Sequence, residues 1–296
     1  MDEDEPVVRE RRRLRAWQSL LVGGIAGATA KTVIAPLDRV KIMYQVSSTL
    51  RFSLAAVGRD LHQIVKSEGA WALWRGNTAT LLRVIPYAGI QYAAYEQIKR
   101  FVGDKQGPLK RFISGAMAGA ISVSCTYPLD LLRARLAVKR GRGTRPEFTL
   151  LWVEAKELVS RGGFAALWRG LSVTLAGIVP YAGFSFGTFE TLKAMRLKRT
   201  GETELSNVFR LSSGAFSGLV AQTVTYPLDV VRRRLQVDHH FPPRYDGMLL
   251  TLAKIAREEG LRGLYKGMTM NWIKGPIALG ISFSVYDYGR DWFEGA

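Results

Sequence analysis

The tripeptide Pro-Leu-Asp occurs three times, at Pro36-Leu37-Asp38, Pro128-Leu129-Asp130 and Pro227-Leu228-Asp229. Each acid is followed three residues later by a base: Lys41, Arg133 and Arg232. The prolines are 92 and 99 residues apart, which divides the 296 residues into three similar units. A helix-kinking proline with an acid and a base on the next turn, set in an apolar run, is unusual once. Three copies at near-constant spacing organise the whole chain, and internal periodicity of this kind decides the fold before any local signal does.

Two further phrases recur in the same order. About 35 residues after each proline come Glu68-Gly69 with Trp74-Arg75-Gly76, Gly162-Gly163 with Trp168-Arg169-Gly170, and Glu259-Gly260 with Tyr265-Lys266-Gly267. The acid of this phrase is lost in the second unit. About 60 residues after each proline come Tyr95-Glu96 with Lys99, Phe189-Glu190 with Lys193, and Tyr286-Asp287 with Arg290. Ahead of each proline stand two glycines four apart: Gly23/Gly27, Gly115/Gly119 and Gly214/Gly218. That spacing lets helix backbones approach closely inside a membrane.

Hydropathy alone is ambiguous. Apolar residues make up 47% with thirty glycines, yet mean hydropathy is only +0.01, and no window holds twenty uninterrupted apolar residues. Residues 17–45, 75–101, 109–137, 169–195, 207–236 and 268–292 are nevertheless rich in small and aliphatic side chains, with charges at fixed, repeated positions. Ionisable groups inside spans face one another or a water-filled cavity. The reading is an all-α membrane protein with six tilted transmembrane helices, two per repeat, around a polar cavity. The stretches 49–68, 140–161 and 239–260 are expected to carry short amphipathic helices at one membrane face. The units run 17–103, 104–200 and 201–296 after an N-terminal tail over 1–16.

Six spans put both termini on one side. Lys and Arg exceed Asp and Glu by 17, and bases such as Lys139, Arg140, Arg142, Arg145, Arg257 and Arg262 cluster in the odd-to-even connections, which therefore face the negative compartment. No apolar signal segment precedes a cleavage site. The lone Cys125 excludes an intramolecular disulfide and is expected to be buried as a small apolar residue.

Together the motifs resemble the mitochondrial carrier family, from about Trp17 to Trp292. The resemblance implies a pseudo-threefold barrel in the mitochondrial inner membrane, both termini in the intermembrane space, that exchanges a solute by alternating access. It implies a matrix gate in which the acid of one repeat meets the base of the next: Asp38 with Arg133, Asp130 with Arg232, Asp229 with Lys41. Gln45 and Gln236 match the glutamine braces four residues past the base, whereas Ala137 stands in the second repeat. A cytoplasmic gate pairs Glu96 with Arg290, Glu190 with Lys99 and Asp287 with Lys193 in the other state, with Tyr95 and Tyr286 as aromatic braces and Phe189 lacking the hydroxyl. Partly hydrated pairs return much of their Coulomb energy as desolvation, so the two states stay close in free energy.

Selectivity is expected where the repeats differ. Thirteen residues before the acids of the third phrase stand Arg83, Gly177 and Lys274, positions that the family resemblance assigns to substrate contact. Two bases and the pair Gly177-Ile178 resemble carriers of the adenine-nucleotide type: the bases neutralise phosphates, and glycine leaves a flat slot for an aromatic ring. Tyr181 stacks on or caps that slot, Thr225 lines its side, and Lys31 adds a third base. Bases in excess of acids favour a polyanion over an amino acid, a cation or a monocarboxylate.

Phrases such as Ala35-Pro36-Leu37-Asp38-Arg39-Val40-Lys41, Arg83-Val84-Ile85-Pro86-Tyr87-Ala88 and Met270-Asn271-Trp272-Ile273-Lys274-Gly275-Pro276 are similar to the coenzyme A carrier branch. That branch exchanges coenzyme A or adenosine 3′,5′-diphosphate for adenine nucleotides. An ADP/ATP or ATP-Mg/phosphate-like exchanger is the alternative; the run Arg232-Arg233-Arg234 matches the ADP/ATP carriers but the methionines that follow there are absent. The family analogy also implies bound cardiolipin, at helix N-termini whose glycine amides suit a lipid phosphate. A monomer without cofactor or metal is expected.

The basic charge, with an isoelectric point of 10.2, also qualifies a nucleic-acid binder, but the bases sit in pairs with acids and form no stripe. A regulated proton leak shares the signatures and lacks support from any cavity carboxylate beyond the rings. An enzyme is not expected: His62, His239 and His240 fall in the polar stretches, the last two in a turn before Pro242-Pro243.

Overall fold

The computed structural model describes residues 16–50, 52–102, 108–141, 146–200, 205–238 and 244–295. The N-terminal tail up to residue 15, Arg142, Arg145, His239, His240, Pro242 and Pro243 lie outside the described residues. Six long helices alternate with three short ones: α1 (Ala16–Val46), α2 (Leu54–Glu68), α3 (Asn77–Val102), α4 (Pro108–Val138), α5 (Glu147–Gly162), α6 (Leu171–Thr200), α7 (Asn207–Val237), α8 (Met248–Leu264) and α9 (Met268–Gly295). No strand occurs among the described residues. The long helices coincide with the expected spans to within two or three residues, except that α6 runs on to Thr200. Among the described residues only the stretches Phe112–Val138 and Phe164–Thr200 have the continuous apolar window of an ordinary membrane span; the other long helices are diluted by the repeated charges. At 1.5 Å per residue the 31-residue helices reach about 46 Å, long enough to cross a hydrocarbon layer of about 30 Å at a tilt.

The helices form a closed circle. α3 packs on α4, α6 on α7 and α9 on α1, while α1, α4 and α7 touch pairwise. Each repeat builds a small apolar core at the same end, where the C-terminal half of its first long helix meets its short helix. Val40 and Tyr44 of α1 pack with Val57 and Ile64 of α2. Leu131, Leu132 and Leu136 of α4 pack with Leu151 and Leu158 of α5. Val230, Val231 and Leu235 of α7 pack with Ile255 and Leu264 of α8. Each core also takes one residue from the preceding repeat's last long helix: Met270, Ala79 and Val173 respectively. Buried residues concentrate at this closed end; the opposite ends of the long helices carry few.

Every long helix contains an internal proline: Pro36, Pro86, Pro128, Pro180, Pro227 and Pro276. A proline removes the hydrogen bond to the carbonyl four residues earlier, and in an apolar setting that carbonyl needs another donor. The second phrase of the repeat supplies it. Trp74 Nε1 donates to the Thr32 carbonyl at 2.9 Å, four residues before Pro36. Trp168 Nε1 donates to the Ser124 carbonyl at 2.8 Å, four residues before Pro128. In the third repeat Tyr265 replaces the tryptophan and stacks on Tyr226, with ring centroids 6.3 Å apart.

The glycine that closes this phrase is needed for shape. Gly76, Gly170 and Gly267 have φ of +90°, +87° and +83°, and a Cβ on Gly76 would lie 2.9 Å from the Arg133 carbonyl oxygen. The earlier glycine pairs behave differently. A Cβ would meet nothing within 4 Å at Gly23, Gly27, Gly115, Gly119 or Gly214, and only Tyr181 Oη, at 3.9 Å, at Gly218. The close backbone approach expected of them is absent, because they lie toward the open end where the helices stand apart. Cys125 is likewise exposed, not buried: it continues the outward stripe Ile113, Met117, Ile121 along α4.

Candidate functional site

The three Pro-Leu-Asp acids meet at the closed end, each turned toward the base of another repeat. Asp38 pairs with Arg133, Asp130 with Arg232 at 2.6 Å, and Asp229 with Lys41 at 3.5 Å. The i, i+3 spacing puts acid and base on one face of each helix, and the pairwise contact of α1, α4 and α7 turns those faces inward. Gln236 Nε2 donates to Asp130 at 2.8 Å and to Tyr127 Oη at 3.0 Å. Gln45 Nε2 instead reaches, among the described residues, only Tyr226 Oη, at 3.1 Å. The glutamines thus bridge to the tyrosine preceding the neighbouring proline. Both members of the third strut are alanine, Ala35 and Ala137.

A second ring lies beneath the first, and it was not expected. Arg39 Nε donates to the Ala137 carbonyl at 3.0 Å, Arg135 Nε to the Gln236 carbonyl at 2.9 Å, and Arg234 Nε to the Gln45 carbonyl at 3.1 Å. Each arginine is buried and caps the end of the next repeat's long helix, where backbone carbonyls lack partners. Each is held by a carboxylate of its own repeat: Arg39 by Glu68 at 2.9 Å, Arg135 by Glu154 at 3.3 Å, Arg234 by Glu259. Periodicity hid this ring. Arg135 and Arg234 both follow the gate base by two residues, but the first repeat has Met43 there and uses Arg39, next to Asp38. The acid missing from the second Glu-Gly phrase is replaced by Glu154, inside α5.

Burial pushes the Glu154 carboxyl up, and hydrogen bonds and charge from Lys139 and Arg135 outweigh it, leaving the group below its ordinary value. Glu259 is likewise lowered: burial raises it, while Arg234 and Lys266 pull it further down.

On the cavity side of the acid ring, the two bases expected to contact substrate are engaged. Arg83 Nη1 lies 3.1 Å from Asp130 Oδ1, and Lys274 Nζ lies 2.7 Å from Asp38 Oδ1. Arg233 also approaches Asp130, at 3.4 Å. Lys31 is exposed, with no acid within ion-pair distance among the described residues. Gly177, Ile178, Tyr181 and Thr225 line a single cavity of about 280 Å³ with Leu228, Asp229 and Arg232, so the expected slot is one place. A Cβ on Gly177 would make only an ordinary 3.8 Å contact with Leu228; the slot's width does not depend on that glycine.

The opposite end differs. Glu190 pairs with Lys193 of its own helix at 3.3 Å, and Asp287 with Arg290 of its own helix at 3.8 Å. Among the described residues none of the three pairs between repeats is formed there, the arrangement expected of a molecule closed at the other end. Tyr95 lines a groove between α3 and α4 with Gln91 and Gly115; Phe189 and Tyr286 are half-buried.

The helix N-termini expected to hold lipid phosphate are not equivalent either. The Gly76 amide and Thr78 Oγ1 both donate to the carboxylate of Glu147, the first residue of α5. In the first repeat an internal anion therefore sits on that amide.

The sequence pattern of the mitochondrial carrier protein family matches this chain three times, over residues 12–106, 104–200 and 203–296. The chain is 45% identical over 293 residues to the mitochondrial coenzyme A transporter SLC25A42 of Xenopus tropicalis, covering 95% of this chain and 88% of that protein. It is 44% identical over 289 residues to the human protein of that name, covering 95% and 89%. It is 45% identical over 289 residues to mitochondrial substrate carrier family protein P of Dictyostelium discoideum, covering 94% and 95%.

Proposed function

The chain belongs to the mitochondrial carrier family, and on that premise we propose that it carries coenzyme A or adenosine 3′,5′-diphosphate across the mitochondrial inner membrane in exchange for adenine nucleotides. Relatives of 44–46% identity named as coenzyme A transporters support the cargo. The observation in this chain that carries it is the charge of one connected site. Lys31, Lys41, Arg83, Arg133, Arg232, Arg233 and Lys274 face three acids, Asp38, Asp130 and Asp229, an excess of four positive charges. A 3′-phosphate and a pyrophosphate together bring about four negative charges at neutral pH.

The geometry also couples binding to opening. Lys31, free of an acid, meets the phosphates first. Arg83 and Lys274 leave Asp130 and Asp38 for phosphate oxygens, exchanging one charge-assisted contact for another. The acid ring then has fewer cations holding it, and the matrix end loosens while the opposite ring closes. Alternating access follows from two rings that cannot both be made.

The protein is a monomer in this reading, with both termini in the intermembrane space. Cardiolipin is assigned to the N-termini of α6 and α9, since Glu147 already occupies the amide at α3.

Proteoliposomes loaded with ADP are expected to take up labelled coenzyme A. Arg83→Ala and Lys274→Ala are each expected to reduce uptake at least a hundredfold while leaving the protein folded by circular dichroism. Uptake of ADP without coenzyme A would remove the cargo and leave a nucleotide exchanger. Discharge of a proton gradient without any nucleotide uptake would remove both.

A further inference from the structure

The three ring acids have the same sequence context and unequal surroundings. Asp38 accepts from Arg133 and Lys274. Asp130 accepts from Arg232, Arg233, Gln236 and Arg83. In both, one cation comes from the last long helix of a repeat: Lys274 on α9, Arg83 on α3. The equivalent residue on α6 is Gly177, so Asp229 lacks that partner. Among the described residues Lys41, 3.5 Å from Oδ2, is its only base within ion-pair distance, and none donates a hydrogen bond to either of its oxygens. Its side chain is 37% exposed, against 9% for Asp38 and 3% for Asp130.

That open carboxylate lines the same cavity as Gly177, Ile178, Tyr181 and Thr225. The hydroxyl hydrogen of Thr225 is already committed to the Ala221 carbonyl, at 2.8 Å. On α7 the slot thus has acceptors at the two oxygens of Asp229 and the oxygen of Thr225, beside the Arg232 guanidinium, which reaches Asp130 through Nη2 at 2.6 Å. An N–H directed at Asp229 finds an acceptor there, whereas a carbonyl oxygen in the same place would face a carboxylate.

We infer that Asp229, besides facing Lys41, is a specificity residue that accepts a hydrogen bond from the exocyclic amine of the nucleobase. This rests on the proposed nucleotide cargo and adds which base is chosen. A 6-aminopurine presents N6–H₂ as a donor beside ring-nitrogen acceptors. A 6-oxopurine puts a carbonyl oxygen where that donor was. A purine with hydrogen at C6 has neither. The glycine at position 177 thus leaves Asp229 without the second cation that Asp38 has in Lys274 and Asp130 in Arg83.

The test is direct binding to the full-length protein in detergent micelles, by ligand-induced thermal shift and calorimetry. Three probes share one phosphate chain: ADP, purine riboside 5′-diphosphate and inosine 5′-diphosphate. Loss of a hydrogen bond to a charged acceptor corresponds to about tenfold or more in affinity, so ADP should bind about tenfold tighter than the 6-hydrogen probe. The 6-oxo probe should be weaker still. Asp229→Asn, whose amide can donate as well as accept, should bring all three within about twofold of one another, and Thr223→Ala, on the same helix but outside the lining of the cavity, should keep the wild-type order.

Equal binding of ADP and inosine diphosphate by the wild type would overturn the inference and leave the nucleotide cargo standing. So would discrimination that survives in Asp229→Asn or vanishes in Thr223→Ala. Should Asp229→Asn not fold, the wild-type series with Thr223→Ala decides alone. Failure of every nucleotide and of coenzyme A to bind would overturn the cargo, and this inference with it.

Discussion

The two ends of this molecule use the same residues differently. At the closed end, acid and base three apart on α1, α4 and α7 reach across to other repeats, and a second layer of buried arginines ties the helix ends beneath them. At the open end, acid and base three apart on α6 and α9 pair within their own helix, in water. The i, i+3 spacing therefore does not dictate whether a pair lies within a helix or between helices. Helix separation decides it. In the proposed exchange, a pair that is nearly free to break in one state becomes a buried ring in the other, and both uses come from one sequence.

The contrast can be broken most sharply at Asp130. Asp130→Ala leaves Arg83, Arg232 and Arg233 around an empty buried site, and removal of one partner from a buried ionic cluster typically costs about 3–5 kcal/mol. Asp287→Ala at the open end should change stability by less than about 1 kcal/mol, because its pair is exposed and screened. Melting temperatures of both variants in one detergent check this; equal losses would show that the two ends are not held differently.

Acid should come next. The lowered carboxyls of Glu154 and Glu259 contribute stability that is fully present above the ordinary glutamate range, near pH 4.5, and is lost as pH falls through their folded values. The melting temperature should be flat from pH 7 to 5 and fall below about 4.5. Glu154→Gln and Glu259→Gln should lower it at pH 7 and flatten the acid limb.

A smaller loss than at Asp130 is expected at Gln236→Ala, which removes hydrogen bonds to Asp130, Tyr127 and Arg233, for about 1–2 kcal/mol. Gln45→Ala, with one such bond, should cost less. A reversed order in thermal unfolding would contradict the reading that the Asp130 side of the ring is the better braced.

The sequence made the architecture legible because every repeat repeats it: the phrases mark helix, turn and short helix at the same intervals three times. The acid ring was legible for the same reason. What escaped is what one repeat does alone. Arg39 stands four residues away from the position of its counterparts, and Glu154 lies a full two turns before the place where the others keep their acid. Glu147 contacts Gly76 across 71 residues, with no motif to announce it. The emptiness around the glycine pairs depends on which end of the molecule is closed, and no local pattern encodes that, whereas Cys125 is exposed because it lies on the outward stripe of α4. Engagement of Arg83 and Lys274 with the ring acids is a matter of reach along long side chains, which spacing does not measure.

The arginine ring carries a consequence for how the chain folds. The chain is linear, but its bonds at the closed end are circular: the first repeat binds the second, the second the third, and Arg234 of the third returns to the Gln45 carbonyl 189 residues earlier. α1 must therefore wait in the membrane, its end uncapped and its flank open, until α7 and α9 have been made. A contact of that sequence separation closes late and slowly. Closure of the circle, rather than insertion of any helix, should be the step at which an incomplete chain is most exposed to quality control.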